Sequence, residues 1–189
     1  MNPTPRKLEI ITTASTLFKE KGYSAVTMRD IAKSMGIKAA SLYNHIKNKE
    51  EILTFIIISL AEEFIEGLDK IKNSNTTCID KLKQIVALHV DITSRNTNGM
   101  ASLNNDWMHL KDQLNCYLKL RVEYENSFRE IIKKGISNNE IKNINPDIML
   151  FSILSTLRSL YVWIPQKEDL NASELAANLS EVLLSGINK

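Results

Sequence analysis

At 189 residues, with 43% hydrophobic and 24% charged side chains, the chain is long enough to bury a core and too rich in Leu and Ile to be disordered. The start MNPTPRKLEII lacks the small-residue cleavage pattern of a signal peptide, and the longest apolar run, Phe55 to Ala61 with Ser59 inside it, is far short of the roughly 20 residues that span a bilayer. A cytoplasmic protein without membrane contact is expected. The net charge of +2 hides an asymmetry: residues 1–50 carry nine Lys/Arg against four acids, whereas the remainder carries fifteen against eighteen. A basic head of this kind is a candidate polyanion-binding surface. Cys78 and Cys116 stand far apart with no Cys-x-x-Cys and no His at ligand spacing, so two free packed thiols are expected, with no disulfide, metal or cofactor.

Apolar residues recur at three- and four-residue spacing along nearly the whole chain, and no stretch alternates with period two, so the fold class is all-α. The first helix is expected from about Arg6 to Lys21, with Leu8, Ile11, Ala14, Leu17 and Phe18 on one face and Gly22 ending it. Thr27 caps a short helix with Asp30 at capping-box spacing, and Gly36 closes it. A second short helix, about Lys38 to His45, follows at once, and Asn48 with Glu51 opens a long helix through Ile71. The polar run 73–77 is a turn, residues 77–95 form the next helix, and 96–99 break it. A helix containing Trp107 follows, then a long one from Lys111 to Gly135, ended by that glycine; all but a few of the six glycines are expected at helix ends. Asn145 as cap and Pro146 at the first helical position open a strongly apolar helix to about Ile164, stopped by Pro165. The last helix starts at Asn171, with Glu174 as its box partner. About nine helices result: an N-terminal three-helix segment over residues 1–48, and a C-terminal helical bundle over 49–189.

Two short helices joined by a glycine turn and followed by a long one have the dimensions of a helix-turn-helix, whose second helix enters the DNA major groove. The run TMRDIAKSMGIKAASLYNHIKNKEEIL, from Thr27 to Leu53, with the A-x-x-L-F-x-x-x-G-Y stretch from Ala14 to Tyr23, resembles the DNA-binding motif of the TetR family of bacterial regulators. The resemblance implies that Thr27, Met28 and Arg29 face the DNA, and that Tyr43, His45 and Lys49 contact or attract phosphates. It assigns base readout to Lys38, Ala39, Ala40, Ser41 and Asn44. Lys38 has the donor for guanine O6 and N7, the alanines suit thymine methyls, and Asn44 suits adenine. Two positions depart from the pattern: Lys38 stands where relatives often have a small polar residue, and Ile46 where they often have Phe. Taken singly, Tyr43 reads equally as a core aromatic, His45 as a satisfied polar residue and Lys49 as a solvated charge.

Beyond Ile52 the resemblance is to the family's architecture, in which helices surround a ligand cavity and the last two helices of each chain form a four-helix bundle across a twofold axis. It implies a homodimer on a palindromic operator in double-stranded DNA. It also implies a small hydrophobic effector. NDWMHL, LKLRVEYENSFREIIKKGI and ILSTLRSLYVW resemble regulators of fatty-acid, steroid or phenylacetate degradation that bind acyl-CoA thioesters. In that reading Trp107, Tyr124, Phe128, Phe151, Leu154 and Trp163 line an apolar pocket, or else they are plain core. Arg121 and Arg158 meet phosphate or carboxylate, or else Arg158 pairs with an acid on a neighbouring helix. Against an enzyme stands the lack of a His-Glu-x-x-His pair, of a Gly-x-Ser-x-Gly elbow and of a glycine-rich phosphate loop. Asp106 and His109 share a possible helix face, a commonplace spacing for two metal ligands. The remaining rival is a helical adaptor that binds protein and has no specific DNA affinity.

Overall fold

The computed structural model describes residues 3–167 and 169–185, and among them it contains helices and no strand. The chain divides into two compact units, Met1–Ala61 with Asn98–Tyr117, and Glu62–Thr97 with Leu118–Lys189. These compact units do not follow the expected 48/49 boundary: the first half of the fourth helix groups with the N-terminal helices, and so does a later segment.

In the first unit, helix α1 (Pro5–Lys21) is opened by Thr4, whose hydroxyl accepts from the Lys7 amide, and by Pro5 at the first turn. Its buried face is Ile10, Ile11, Ala14, Ser15, Leu17 and Phe18. Leu8, expected inside, is 50% exposed, because the covered stripe begins with Ile10. Helix α2 (Met28–Ser34) has a complete capping box between Thr27 and Asp30. It ends in a Schellman turn. Gly36 sits at φ +67°, its N–H bonds to the Lys33 carbonyl, and the Ile37 N–H reaches the Ala32 carbonyl at 3.0 Å. Helix α3 (Ala39–Tyr43) follows within the same unit, and α4 (Lys49–Lys72) starts at Asn48, whose side chain accepts from the Glu51 amide at 2.8 Å. The Glu51 carboxylate closes the N-terminus from the other side by accepting from the Lys47 amide and from Lys7 Nζ. Helix α6 (Thr97–Asn105) and two 3-10 turns, Trp107–His109 and Lys111–Gln113, complete this unit. The expected break at 96–99 is a single residue, Asn96, and Gly99 is buried inside α6.

In the second unit, α5 (Cys78–Arg95), capped by Thr77, packs on α8 (Pro146–Trp163) and α9 (Ala172–Leu184). Leu82, Ile85, Val86, Val90, Phe128, Ile132 and Leu157 form its core. Helix α7 (Leu114–Ser137) overruns Gly135, where it was expected to stop. The terminator is Asn139, in the left-handed region at φ +61°. Its N–H bonds to the Ile136 carbonyl, and the Glu140 N–H bonds to that of Gly135, a Schellman turn with Asn in place of Gly. Gly135 serves packing: a Cβ there would stand 2.4 Å from Ile141 Cδ1, 2.8 Å from Ile141 Cγ1 and 2.9 Å from Cys78 Cβ. Gly135→Val is therefore expected to lower the unfolding free energy by about 2 kcal/mol in urea titration, overpacking outweighing the loss of glycine's flexibility.

Asn145 accepts from the Asp147 amide and Pro146 opens α8; Asn171 accepts from the Ser173 and Glu174 amides and opens α9. Although α8 is apolar nearly all round, its face with Ile148, Phe151 and Val162 is exposed, Phe151 to 73%, as is Val182 of α9 to 74%. Pro146–Gln166 is long and apolar enough to cross a membrane by length and composition, and a third of it is buried. The apolar-run criterion missed it because Asp147 and scattered Ser and Thr interrupt the run. A helix whose outer face is covered by a second copy meets the same criterion.

Candidate nucleic-acid interface and effector residues

The Schellman turn at Gly36 sets α3 on α2 with only Leu42 of its five residues buried. Leu42 is fully buried, and so is Ile46, whose N–H bonds to the Leu42 carbonyl at 3.0 Å; these two hold the segment down. Ile46 fills the position where Phe was the usual residue. With those anchors fixed, helical geometry turns the other side chains outward. Lys38, Ala40, Ser41, Tyr43, Asn44 and His45 are exposed, and Ala39 is half-buried. Lys38 occupies the N-cap in extended conformation without a side-chain cap bond, so its ammonium is left to other partners.

At the start of α2, Arg29 is exposed and Met28 half-buried. The Thr27 hydroxyl is committed: it lies 2.6 Å from Asp30 Oδ2, to which it donates, and it accepts from the Asp30 amide. Those bonds, with that from the Thr27 amide, hold the Asp30 carboxyl below its usual pKa.

Lys49 has a different situation from the one expected of a phosphate contact. Its ammonium donates to the carbonyls of Tyr23 at 2.6 Å, Val26 at 2.8 Å and Ser24 at 3.5 Å, and lies 4.2 Å from the centre of the Tyr23 ring. Burial draws its pKa down, while Asp106 acts against that. The Tyr23 ring in turn stacks on His109 at 5.0 Å and meets Phe18 edge-on at 5.1 Å. Burial raises the Tyr23 hydroxyl's pKa, with Glu50 and Asp106 adding to it. Lys49 thus clamps the α1–α2 connection, and Asp106 and His109 belong to that clamp. Sequence reading missed it because the three acceptors are backbone carbonyls 23 to 26 residues back, which leave no mark in composition. No group of three potential metal ligands occurs among the described residues.

The residues expected around an effector do not all converge. Tyr124, Phe128 and Leu154 are buried in the second unit. Phe151 and Trp163 face outward, and Trp107 lies in the first unit, its ring 6.0 Å from that of Tyr117. Arg158 donates to Glu125 Oε1 at 2.6 Å and Arg121 donates to the same oxygen at 3.3 Å, the salt-bridge alternative. Burial alone would raise the Glu125 pKa, but these two guanidiniums more than offset it and hold the carboxyl low. One polar pair was not anticipated: His89 Nε2 lies 2.8 Å from the Tyr124 hydroxyl, between the rings of Phe64 and Tyr124. Burial, and secondarily the Arg158 charge, push the His89 pKa down to about 3, and burial raises that of Tyr124.

Comparison with known proteins places this arrangement. Residues 10–54 match the bacterial regulatory proteins of the tetR family, and residues 75–187, more than half of the chain, match the tetracyclin repressor-like C-terminal domain. The chain belongs to the TetR family. A fatty acid metabolism regulator protein of Bacillus subtilis is 28% identical over 97% of this chain and 96% of its own. The biofilm operon icaADBC negative transcriptional regulator IcaR of Staphylococcus aureus is 31% identical over 82% of each. The solved structure of the ketosteroid transcriptional regulator KstR2 of Mycobacterium tuberculosis shares the fold at TM-score 0.93 and 20% identity, covering 100% of this chain and 97% of that one. This TetR-family protein is therefore a transcriptional regulator with a DNA-binding N-terminal domain, and not an enzyme.

Proposed function

We propose that this regulator is a repressor that occupies palindromic operator DNA as a homodimer in the cytoplasm and is released by a small hydrophobic effector, with acyl-CoA thioesters the leading class. The observation that carries the DNA reading is the outward face of α3, where Lys38, Ala40, Ser41, Tyr43, Asn44 and His45 stand exposed around the Leu42 and Ile46 anchors. Ser41 and Asn44, three residues apart on one helix face, suit base edges, while Arg29 and Tyr43 suit the phosphates beside them. Dimerisation is supported by the apolar stripe of Ile148, Phe151, Val162 and Val182, exposed in a single chain. Two copies would place their α3 helices about 34–36 Å apart, one turn of B-DNA. The effector class is supported by what the relatives are named for, fatty-acid metabolism and ketosteroid regulation. Release requires the effector to bind the DNA-incompetent arrangement of the dimer more tightly than the competent one.

Selection from a random duplex library at fixed salt tests the reading. Enrichment of a palindrome is expected; enrichment of nothing, with or without acyl-CoA, would favour the protein-binding adaptor. In the same selection Asn44→Ala is expected to relax one base position in each half-site, at about 1–3 kcal/mol of discrimination. Tyr43→Phe should weaken all sequences alike. An unchanged motif for Asn44→Ala removes Asn44 from base readout. An affinity for acyl-CoAs no tighter than for free CoA would remove the thioester class.

A further inference from the structure

Two buried polar atoms in the second unit have no partner: His89 Nδ1 and Thr93 Oγ1. Both belong to α5, four residues apart and hence on one helix face, and their side chains are all but inaccessible. Thr93 does not make the back-bond to the carbonyl one turn earlier that Thr12, Thr16 and Thr156 make. Native proteins leave few such atoms unsatisfied, because each forfeits its hydration without recompense. Two on one turn call for a group that supplies what they lack, admitted by movement of the side chains that cover them.

The chemistry of that group follows from the hydrogen-bond direction. The Tyr124 hydroxyl has His89 Nε2 as its partner at 2.8 Å and no other acceptor among the described residues, so it donates to Nε2. The ring proton then sits on Nδ1, which is a free donor, and the Thr93 hydroxyl is a second. Both call for an oxygen acceptor. The walls are Phe64, 4.5 Å from the His89 ring, with Tyr124 and Phe128 edge-on beyond. The cation that most influences His89, Arg158, already donates to Glu125 at 2.6 Å. A carboxylate here would be buried without a cation of its own, which is costly; an uncharged oxygen would not.

We propose that His89 and Thr93 form the polar end of the effector site in this unit and take one uncharged oxygen, a carbonyl or hydroxyl, carried on the apolar part of the effector. This rests on the effector reading above and narrows its chemistry. His89 and Thr93 act as specificity-determining residues, with Tyr124 fixing the His89 tautomer. The depressed His89 pKa agrees with a ring that remains a neutral donor.

The test is calorimetric binding of four ten-carbon probes, 2-decanone, 1-decanol, decane and decanoate, to the full chain and to His89→Phe and Thr93→Val. Thr93→Val removes one unpaired polar atom at similar volume and leaves the His89–Tyr124 bond in place, so it is expected to fold; His89→Phe also deletes the acceptor of the Tyr124 hydroxyl, and Thr93→Val carries the test if that variant is unstable. The wild type should prefer 2-decanone and 1-decanol to decane by roughly three- to tenfold, and each variant should lose that preference while keeping its affinity for decane. Equal binding of decane and 2-decanone by the wild type overturns the polar subsite and leaves the apolar effector reading standing; binding of none of the four overturns the subsite, and the effector reading falls with it if acyl-CoAs also bind no tighter than free CoA. Tightest binding of decanoate, undiminished in His89→Phe, assigns the site to Arg158 and an anion instead. A second readout uses the fact that the chain has only three histidines. The His89 Nδ1 resonance should shift with 2-decanone and not with decane, and a resonance that 2-decanone leaves in place means a resident water alone satisfies the pair.

Discussion

Between pH 7 and pH 5 the wild-type protein is expected to lose about 2 kcal/mol of unfolding free energy that His89→Phe retains. The ordinary histidine pKa is 6.5, and in the folded chain that of His89 is down at about 3. Over the interval between those values the unfolded chain binds a proton at this position and the native chain does not, so stability falls as pH falls, by about 1.4 kcal/mol per unit once the unfolded residue is fully protonated. Burial is the main cause, since the imidazolium would lose its hydration among Phe64, Tyr124 and Phe128, and the Arg158 charge adds to it. The window above pH 5 isolates this proton. Glu51, Asp91, Glu125 and Glu140 are all held below their ordinary pKa values, so they stay ionised there and their own losses begin lower. Asp106 acts in the opposite sense, because burial raises its pKa and acidification relieves it. Urea titrations at pH 7, 6 and 5 measure the difference, and parallel curves for wild type and His89→Phe would show that the native ring accepts its proton without penalty.

Where a helix end is chemical, the sequence shows it. Thr27 with Asp30, Asn145 with Pro146, and Asn171 with Glu174 each open a helix at the expected residue, because the cap satisfies backbone amides within three positions of itself. Glycine is the poorer guide. Gly22 and Gly36 end helices at positive φ, whereas Gly67, Gly99 and Gly135 lie inside them, and Gly67 and Gly135 admit close neighbours, Leu88 and Ile141. A glycine chosen for its missing Cβ looks the same in sequence as one chosen for its freedom. The compact units differ from the expected division for a related reason: residues 98–117 group with the N-terminal unit through tertiary contacts, and no local signal announces that return.

The same boundary between local and tertiary information runs through the sites. The α3 face was legible because capping, turn and anchor residues all lie between Thr27 and Ile46. The effector set was less so. An all-apolar helix such as α8 does not disclose which of its faces its own chain covers, and Phe151 and Trp163 turned out to face away. Arg158 finds its acid 33 residues away in sequence, on α7. His89, the residue with the most depressed pKa, had no motif around it; its only sequence signal was a polar residue on the inner stripe of α5.

Lys49→Met should reduce DNA affinity for every sequence while leaving the salt dependence of binding unchanged. A lysine that contacts phosphate releases a counterion when it binds, so removing it lowers the slope of log affinity against log salt by about one. Lys49 instead spends its donors on the carbonyls of Tyr23, Ser24 and Val26 and its charge on the Tyr23 ring. Methionine keeps the apolar stem and deletes the ammonium, leaving those carbonyls to water. Charge-assisted bonds of this kind contribute about 1.5–3 kcal/mol when buried, and partial exposure here points to about 2 kcal/mol of lost stability in the first unit. The loss falls on the connection that delivers Thr27, and with it α2 and α3, to their places, so affinity declines through positioning. Arg29→Ala, at an exposed side chain without such bonds, provides the contrast: a lower slope with stability unchanged. Should Lys49→Met also lower the slope by about one, the ammonium must leave the carbonyls for a phosphate in the complex, and the clamp would then be a contact that DNA has to break.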